Sequence, residues 1–262
     1  MADTAFIFNP GRWPHRELIS RITAMILVGL FMVVKVKQFH QYPGSFSGLE
    51  LFYLDVNRIS GQILYTHTGI CLLWGLRLLT WGLETGILLG YILAYATREP
   101  ARSLASGARE TLVPVIVAGL PVLISMAPYT FPEILPYASP VHFPVSVMIS
   151  GIIILGTAVN LVSLVTLRRS FSIMPEARGL VTRGIFRHIR HPIYLGHMIL
   201  MTGVVLIRLH SYTLALFVLF CAGQCFRARM EEAKLMSALD GYGDYQARTG
   251  MFFPRFPWPG SG

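Results

Sequence analysis

The sequence predicts an all-α protein: a polytopic membrane bundle of about seven helices, within a range of six to eight at roughly 17–25 residues per crossing. Three observations carry this. The 262 residues are 53% hydrophobic and only 13% charged, against about 25% charged in ordinary soluble domains. Mean hydropathy is +0.56, and several apolar runs are long enough to span a bilayer. The arginines gather in the polar loops between those runs, where they set orientation and meet anionic headgroups. That placement explains the net charge of +9 and argues against nucleic acid as a partner.

The chain opens on a polar, aromatic stretch. Pro10, Gly11 and Pro14 block a long helix, and Trp13 suits headgroup depth. No cleavable signal is expected there, because a charged start and a small-residue cleavage site are both missing. The first apolar run, about Leu18 to Val34, is just long enough to cross and stops at Lys35 and Lys37. Pro43, Gly44 and Gly48 mark a turn. Leu49 to Ile59 fits a surface amphipathic helix.

Gly61 to Ala96 is too long for one span and is punctuated at Trp81-Gly82-Leu83-Glu84, which predicts two helices, the second short. His67 and Arg77 lie within it. An intramembrane ionisable group is a functional candidate, but Arg77 near a helix end fits a snorkelling side chain better. A polar loop with Arg98, Arg102 and Arg109 leads to a span at Thr111 to Ala127. Prolines at 128, 132, 136 and 140 then predict a loop, which lacks lysine and arginine and so belongs outside.

Val141 to Leu167 is the next span, ending at Arg168 and Arg169. Residues 168–192 carry arginines at 168, 169, 178, 183, 187 and 190 against Glu176, so this loop is expected in the cytoplasm. Ile193 to Ile207 and Tyr212 to Phe226 predict a helical hairpin, with Gly196, Gly203 and Gly223 allowing close backbone approach. An odd number of spans with a cytoplasmic tail puts the amino terminus outside, although Arg12, Arg16 and Arg21 oppose that. Cys71, Cys221 and Cys225 all sit in apolar runs and read as buried packing residues. There is one membrane domain; residues 1–140 and 141–262 divide into two parts by role.

The chemistry concentrates between Leu180 and Glu232. Pro192 suits the first position of a helix. The amides of the turn after it, with Arg187 and Arg190, form an anion-binding arrangement, and lipid phosphates are the plainer occupant. Arg227 and Glu231 are at i and i+4 on one helix face, in the weaker order for a surface ion pair. The hairpin should bring them to face the His191–Tyr194 turn. His188 reads as a headgroup contact, and His197 as a polar residue satisfied inside the bundle.

Leu180-Val181-Thr182-x-Gly184, Arg190-His191-Pro192-x-Tyr194-x-Gly196 and Arg227-x-x-x-Glu231-Glu232-x-x-Leu235 together resemble the isoprenylcysteine carboxyl methyltransferase family. The membrane phospholipid methyltransferases share much of this pattern. Arg169-Ser170-Phe171-Ser172-Ile173, and the tail Tyr242-x-x-Tyr245-x-x-Arg248-Thr249-Gly250 with Pro254-Arg255-Phe256, look like the bacterial branch. The resemblance covers about residues 145–258 and leaves 1–140 without an assigned role. It departs at Ile185, Phe186 and His197, where proline, tyrosine and glutamate are common.

The resemblance implies S-adenosyl-L-methionine as the methyl donor, bound in a cytoplasmic pocket closed by the carboxy-terminal segment. Leu180, Val181, Phe186, Arg190, His191, Pro192, Ile193 and Tyr194 would line it, with Glu231 binding from the opposite helix. Arg227 would be the catalytic residue, holding a lipid-like or prenylated acceptor whose reactive group is a carboxylate in the founding members. No metal is implied. The expected location is a bacterial inner membrane, among membrane lipids. No glycine-rich nucleotide loop follows a strand anywhere in the sequence, so a soluble-type cofactor fold is not available. Two other readings stay open at this point: an NADPH-dependent membrane reductase of the sterol-reductase type, and a transporter or scaffold whose basic loop binds lipid. The sequence does not read out the oligomeric state.

Overall fold

The computed structural model describes residues 67–130, 143–167, 170–207 and 209–255, apart from 100, 104, 173 and 174, together with scattered helical positions between 22 and 33. The expectations for residues 1–17, for most of the first span, for residues 35–66 and for the side chains of His67 and Arg77 lie outside the described residues. Among the described residues every regular element is helical: α1 (His67–Thr97), α2 (Gly107–Thr130), α3 (Phe143–Leu167), a 3-10 turn (Gly184–Arg187), α4 (Pro192–Ile207), α5 (Ser211–Ala238) and α6 (Tyr242–Arg248).

Four of these helices are long and apolar enough to cross a membrane, and Pro192–Leu206 is a shorter apolar helix beside them. Their outward faces expose large aliphatic side chains: Leu93 and Val218 keep more than half of their surface uncovered. Water does not tolerate such a belt, and lipid does. The protein is an integral membrane protein.

The two helices expected between 61 and 96 are one. α1 runs unbroken for 31 residues, about 46 Å at 1.5 Å per residue, longer than the ~30 Å hydrocarbon layer. Gly82 and Glu84 do not interrupt it, because a break inside lipid would leave backbone groups unpaired at several kcal/mol each, against about 1 kcal/mol for a helical glycine. The hydroxyls of Thr80 and Thr85 also bond back to the carbonyls of Leu76 (2.9 Å) and Trp81 (2.8 Å). α2 likewise overruns its prediction and takes in Pro128, expected in the following loop. Its prolines 114, 121 and 128 recur every seven residues, and Pro114 is fully buried. Membrane helices accept proline where neighbouring helices cover the freed carbonyl. α5 is also continuous, so Arg227 sits inside a helix rather than at the start of one.

The helices pack in the order α1, α3, α4, α5, α2. Small residues set the closest contact. A Cβ on Gly156 of α3 would lie 2.4 Å from the Leu200 nitrogen and 2.7 Å from the Gly196 oxygen of α4. The hairpin glycines thus permit close approach, but to other helices than each other: Gly196 and Gly203 face α3, and Gly223 faces Val117 of α2. Between α2, α4 and α5 an apolar core gathers Val117, Ile124, Met201, Val205 and Phe220. The α4–α5 turn is fixed by His210, whose ring accepts the Tyr212 amide (3.2 Å) while Thr213 accepts the His210 amide (3.1 Å).

The glycine contact yields a paired test. Gly156→Ala should destabilise the detergent-solubilised protein by about 1–3 kcal/mol through overpacking against backbone. Gly151→Ala, where a Cβ meets nothing within 4 Å, should be neutral or stabilise by up to about 1 kcal/mol, the cost of a helical glycine. Thermal unfolding of both variants checks this; equal effects would refute the packing.

Candidate functional site

The site is built where the chain leaves α3 and re-enters the bundle at α4. Gly184 opens the 3-10 turn at φ +59, a conformation that costs a residue with a Cβ roughly 1–2 kcal/mol. The turn buries Phe186 and delivers Ile189 to a parallel bridge with Gly250. The amides of Arg190 and His191 donate to the carbonyls of Gly250 (2.8 Å) and Met251 (3.0 Å). Gly250 allows the tail to double back here: a Cβ on it would overlap the Phe253 carbonyl at 1.7 Å. Pro192 then starts α4, as its fixed φ and missing donor predict.

One carboxylate ties these pieces together. Glu232 accepts from Arg190 Nε at 2.7 Å through Oε1 and from Gln246 Nε2 at 2.9 Å through Oε2. His191 Nε2 lies 3.0 Å from the same Oε1. A carboxylate only accepts, so Nε2 carries the proton. Arg190 Nη1 donates onward to the carbonyls of Gln246 (3.1 Å) and Thr249. Glu232, His191 and Thr249 are buried. The tail is therefore fastened over the 186–191 turn by charge-assisted bonds, which are stronger than neutral ones. Tyr245 adds a further bond to the Phe186 carbonyl at 2.6 Å. Burial pushes its phenol up to about 12, so it remains a donor at any ordinary pH.

The adjacent carboxylate points elsewhere, because successive side chains on a helix diverge by about 100°. Glu231 accepts from the Tyr194 hydroxyl at 2.8 Å and keeps 30% of its side chain exposed. The Tyr194 ring stacks on His191 (5.4 Å between centroids, 3° between planes). The Arg227 guanidinium lies 5.0 Å from the centre of the same ring and donates to Gln224 Oε1 at 3.2 Å. Tyr194 thus stands between Glu231 and Arg227.

Glu231 opens into a small, partly open cleft at this end of the bundle. Of the residues singled out in the sequence, Leu180, Val181, Phe186, Arg190, His191 and Glu231 line it. Pro192, Ile193, Tyr194 and Arg227 do not. Pro192 is buried as the first residue of α4, and Ile193 packs instead against Ala94, Tyr95, Leu164 and Phe171. Arg190 lines the wall, but its guanidinium is occupied by Glu232 and the tail, so it is not the free anion-binding arginine the loop charge suggests. Arg183, Arg187 and His188 are exposed. His197 is not satisfied as expected: its Nδ1 is buried with no hydrogen-bond partner among the described residues.

The sequence reading gave no role to Glu232, Tyr242, Tyr245, Glu176 or Arg178. The last four line the cleft, and Glu232 is its fastener. The Tyr242-x-x-Tyr245 spacing was the available signal, since i and i+3 share a helix face. Burial, with Glu232 and Glu231 nearby, also pushes the Tyr242 phenol up. Its hydroxyl has no partner among the described residues. No group of three or more metal-ligating side chains occurs among the described residues.

Residues 148–237 match the model of the isoprenylcysteine carboxyl methyltransferase family. That segment runs from α3 through the turn and hairpin to both glutamates, and bears out the family resemblance of the motifs. The chain is also similar to the solved structure of a eukaryotic intramembrane Ras methyltransferase, isoprenylcysteine carboxyl methyltransferase, at 18% identity, over 91% of this chain and 95% of that one, with a TM-score of 0.42. No curated protein matches the chain.

The two glutamates should separate in stability measurements. Glu232→Ala leaves Arg190 and His191 buried without their carboxylate and should cost about 3–5 kcal/mol. Glu231→Ala loses one partly exposed hydrogen bond, about 1 kcal/mol. Unfolding in mixed micelles reads both, and the reverse ranking would contradict the assignment of Glu232 as the fastener.

Proposed function

We propose, from a segment that carries the isoprenylcysteine carboxyl methyltransferase pattern, that this membrane protein transfers a methyl group from S-adenosyl-L-methionine to the carboxylate of a lipid-like or prenylated acceptor. The observation that supports the proposal is the shared position of two motifs: His191 and Glu231 line one cleft, Tyr194 bonds to Glu231, and Arg227 lies over the Tyr194 ring.

The residues present fit the donor. Leu180, Val181, Phe186 and Leu235 give the cleft an apolar wall, Glu231 brings a partly exposed carboxylate, and the Tyr242 hydroxyl is buried there without a partner among the described residues. A buried hydroxyl left unpaired costs about 1–3 kcal/mol, so a bound polar ligand would relieve it. When bound, the donor supplies a methyl group already activated on a sulfonium. Glu231 would hold the donor's hydroxyl or cationic groups. Arg227 would hold and orient the acceptor carboxylate from the membrane side of Tyr194. A carboxylate has no proton to lose, so no general base is needed. Alignment is then the main task, worth up to roughly 7–11 kcal/mol of the barrier. Tyr242 and Tyr245, held over the turn by the tail, would keep water out.

The arginine-rich end of the bundle is proposed to face the cytoplasm of a bacterial inner membrane, with the acceptor arriving from the bilayer.

Titration calorimetry on purified protein should show stoichiometric binding of S-adenosylmethionine and none of NADPH. Glu231→Ala should abolish donor binding. Arg227→Ala should keep it and lower turnover with a prenylated-cysteine carboxylate on the order of 10²-fold. Tight NADPH binding alone, or wild-type donor affinity in Glu231→Ala, would overturn the reading.

A further inference from the structure

The family match begins at residue 148, yet residues 98–103, which do not line the cleft themselves, hold two residues that do, Glu176 and Arg178. Arg98, at the end of α1, is 2% exposed. Its guanidinium lies 4.6 Å from the centre of the Tyr95 ring, and Nη1 is 4.0 Å from Glu176 Oε2. The same oxygen accepts from Arg178 Nη2 at 2.6 Å and from the Ser172 hydroxyl at 2.7 Å. Arg178 Nη1 returns to the Glu99 carbonyl. The backbones join as well: the Arg102 amide donates to the Ala177 carbonyl at 2.7 Å, and the Ala177 amide to the Ser103 carbonyl at 3.0 Å.

The segment so held is part of the cleft. Glu176, Arg178, Gly179, Leu180 and Val181 are consecutive or nearly so, and all line it. Ala177, in their midst, is fully buried against Leu239, Tyr242 and Tyr245. Residues 176–178 are therefore gripped from one side by the loop after α1 and from the other by the tail. Two arginines on one buried carboxylate are a poor way to gain stability, since each ion pays a desolvation penalty that its partner only partly returns. Breaking such a cluster is costly, because any shift leaves a charge buried without its partner.

We propose that Arg98 is a positioning residue for the methyl-donor site. Acting through Glu176 and Arg178, it fixes the Gly179–Val181 wall, so the segment after α1 serves the donor cleft. This rests on the function proposed above.

The test uses the full chain in nanodiscs, with S-adenosylhomocysteine as the donor-site probe and a farnesylated cysteine as the acceptor. Arg98→Ala should raise the probe Kd and the donor KM at least tenfold and leave the acceptor KM unchanged. Arg98→Lys keeps the buried charge but loses the planar fork, and should recover part of the affinity. If Arg98→Ala does not survive purification, Arg98→Lys carries the test, with a donor-affinity loss of about threefold expected for a fork replaced by a point charge. A folded variant with wild-type donor affinity, or equal changes in the donor and acceptor KM, would overturn the proposal. Wild-type protein that binds no donor would sink the function proposed above instead. Hydrogen exchange then decides the positioning role: the amides of 177–181 must exchange faster in the Arg98 variant, and unchanged exchange overturns it.

Discussion

A single desolvated carboxylate, Glu232, holds the functional end of this protein together. It sits on α5, yet its partners come from the turn before α4 and from the tail after α5. Membrane helices pack by shape, without much hydrophobic force between them. Their ends outside the lipid need some other means of staying in register. Here charge-assisted bonds supply it at an end of the bundle where polar groups can be gathered without facing lipid.

That arrangement explains why two consecutive glutamates are needed. The helix sends Glu232 toward the tail and Glu231 toward the cleft. The first is fully engaged and buried; the second keeps a hydrogen bond to Tyr194 and an open side. Tyr194 in turn separates Glu231 from Arg227. Residues 227–232 of α5 thus provide a fastener, a carboxylate at a cleft and a guanidinium over the Tyr194 ring. The rest of the bundle sets the height and angle of that segment. Glycine contacts draw α3 against α4, and α2 supports α5 through Val117 beneath Gly223 and through an ion pair between Glu110 and Lys234.

Much of this was legible in the sequence. The apolar runs and loop arginines are enough for a helical membrane fold. The motif spacing brings the His191–Tyr194 corner and Glu231 to one place, because a hairpin must return its end to its start. The failures have physical causes. Gly82 and Glu84 look like a break only if water is available to take the freed backbone groups, and inside α1 it is not. Pro128 reads as a terminator by soluble-protein rules that lipid relaxes. Arg190 carries the same charge as its exposed neighbours, so composition cannot tell that it is committed to Glu232. Arg98 meets Glu176 across a long sequence separation, which leaves no periodic trace.

The central claim is that the Arg190–Glu232 contact closes the tail over the turn. A double-mutant cycle of Arg190→Met and Glu232→Gln, read by unfolding in mixed micelles, measures it directly. A buried charge-assisted pair predicts a coupling energy of about 1.5–3 kcal/mol. Additivity within about 0.5 kcal/mol would mean that the two residues do not act on each other, and the account would fail.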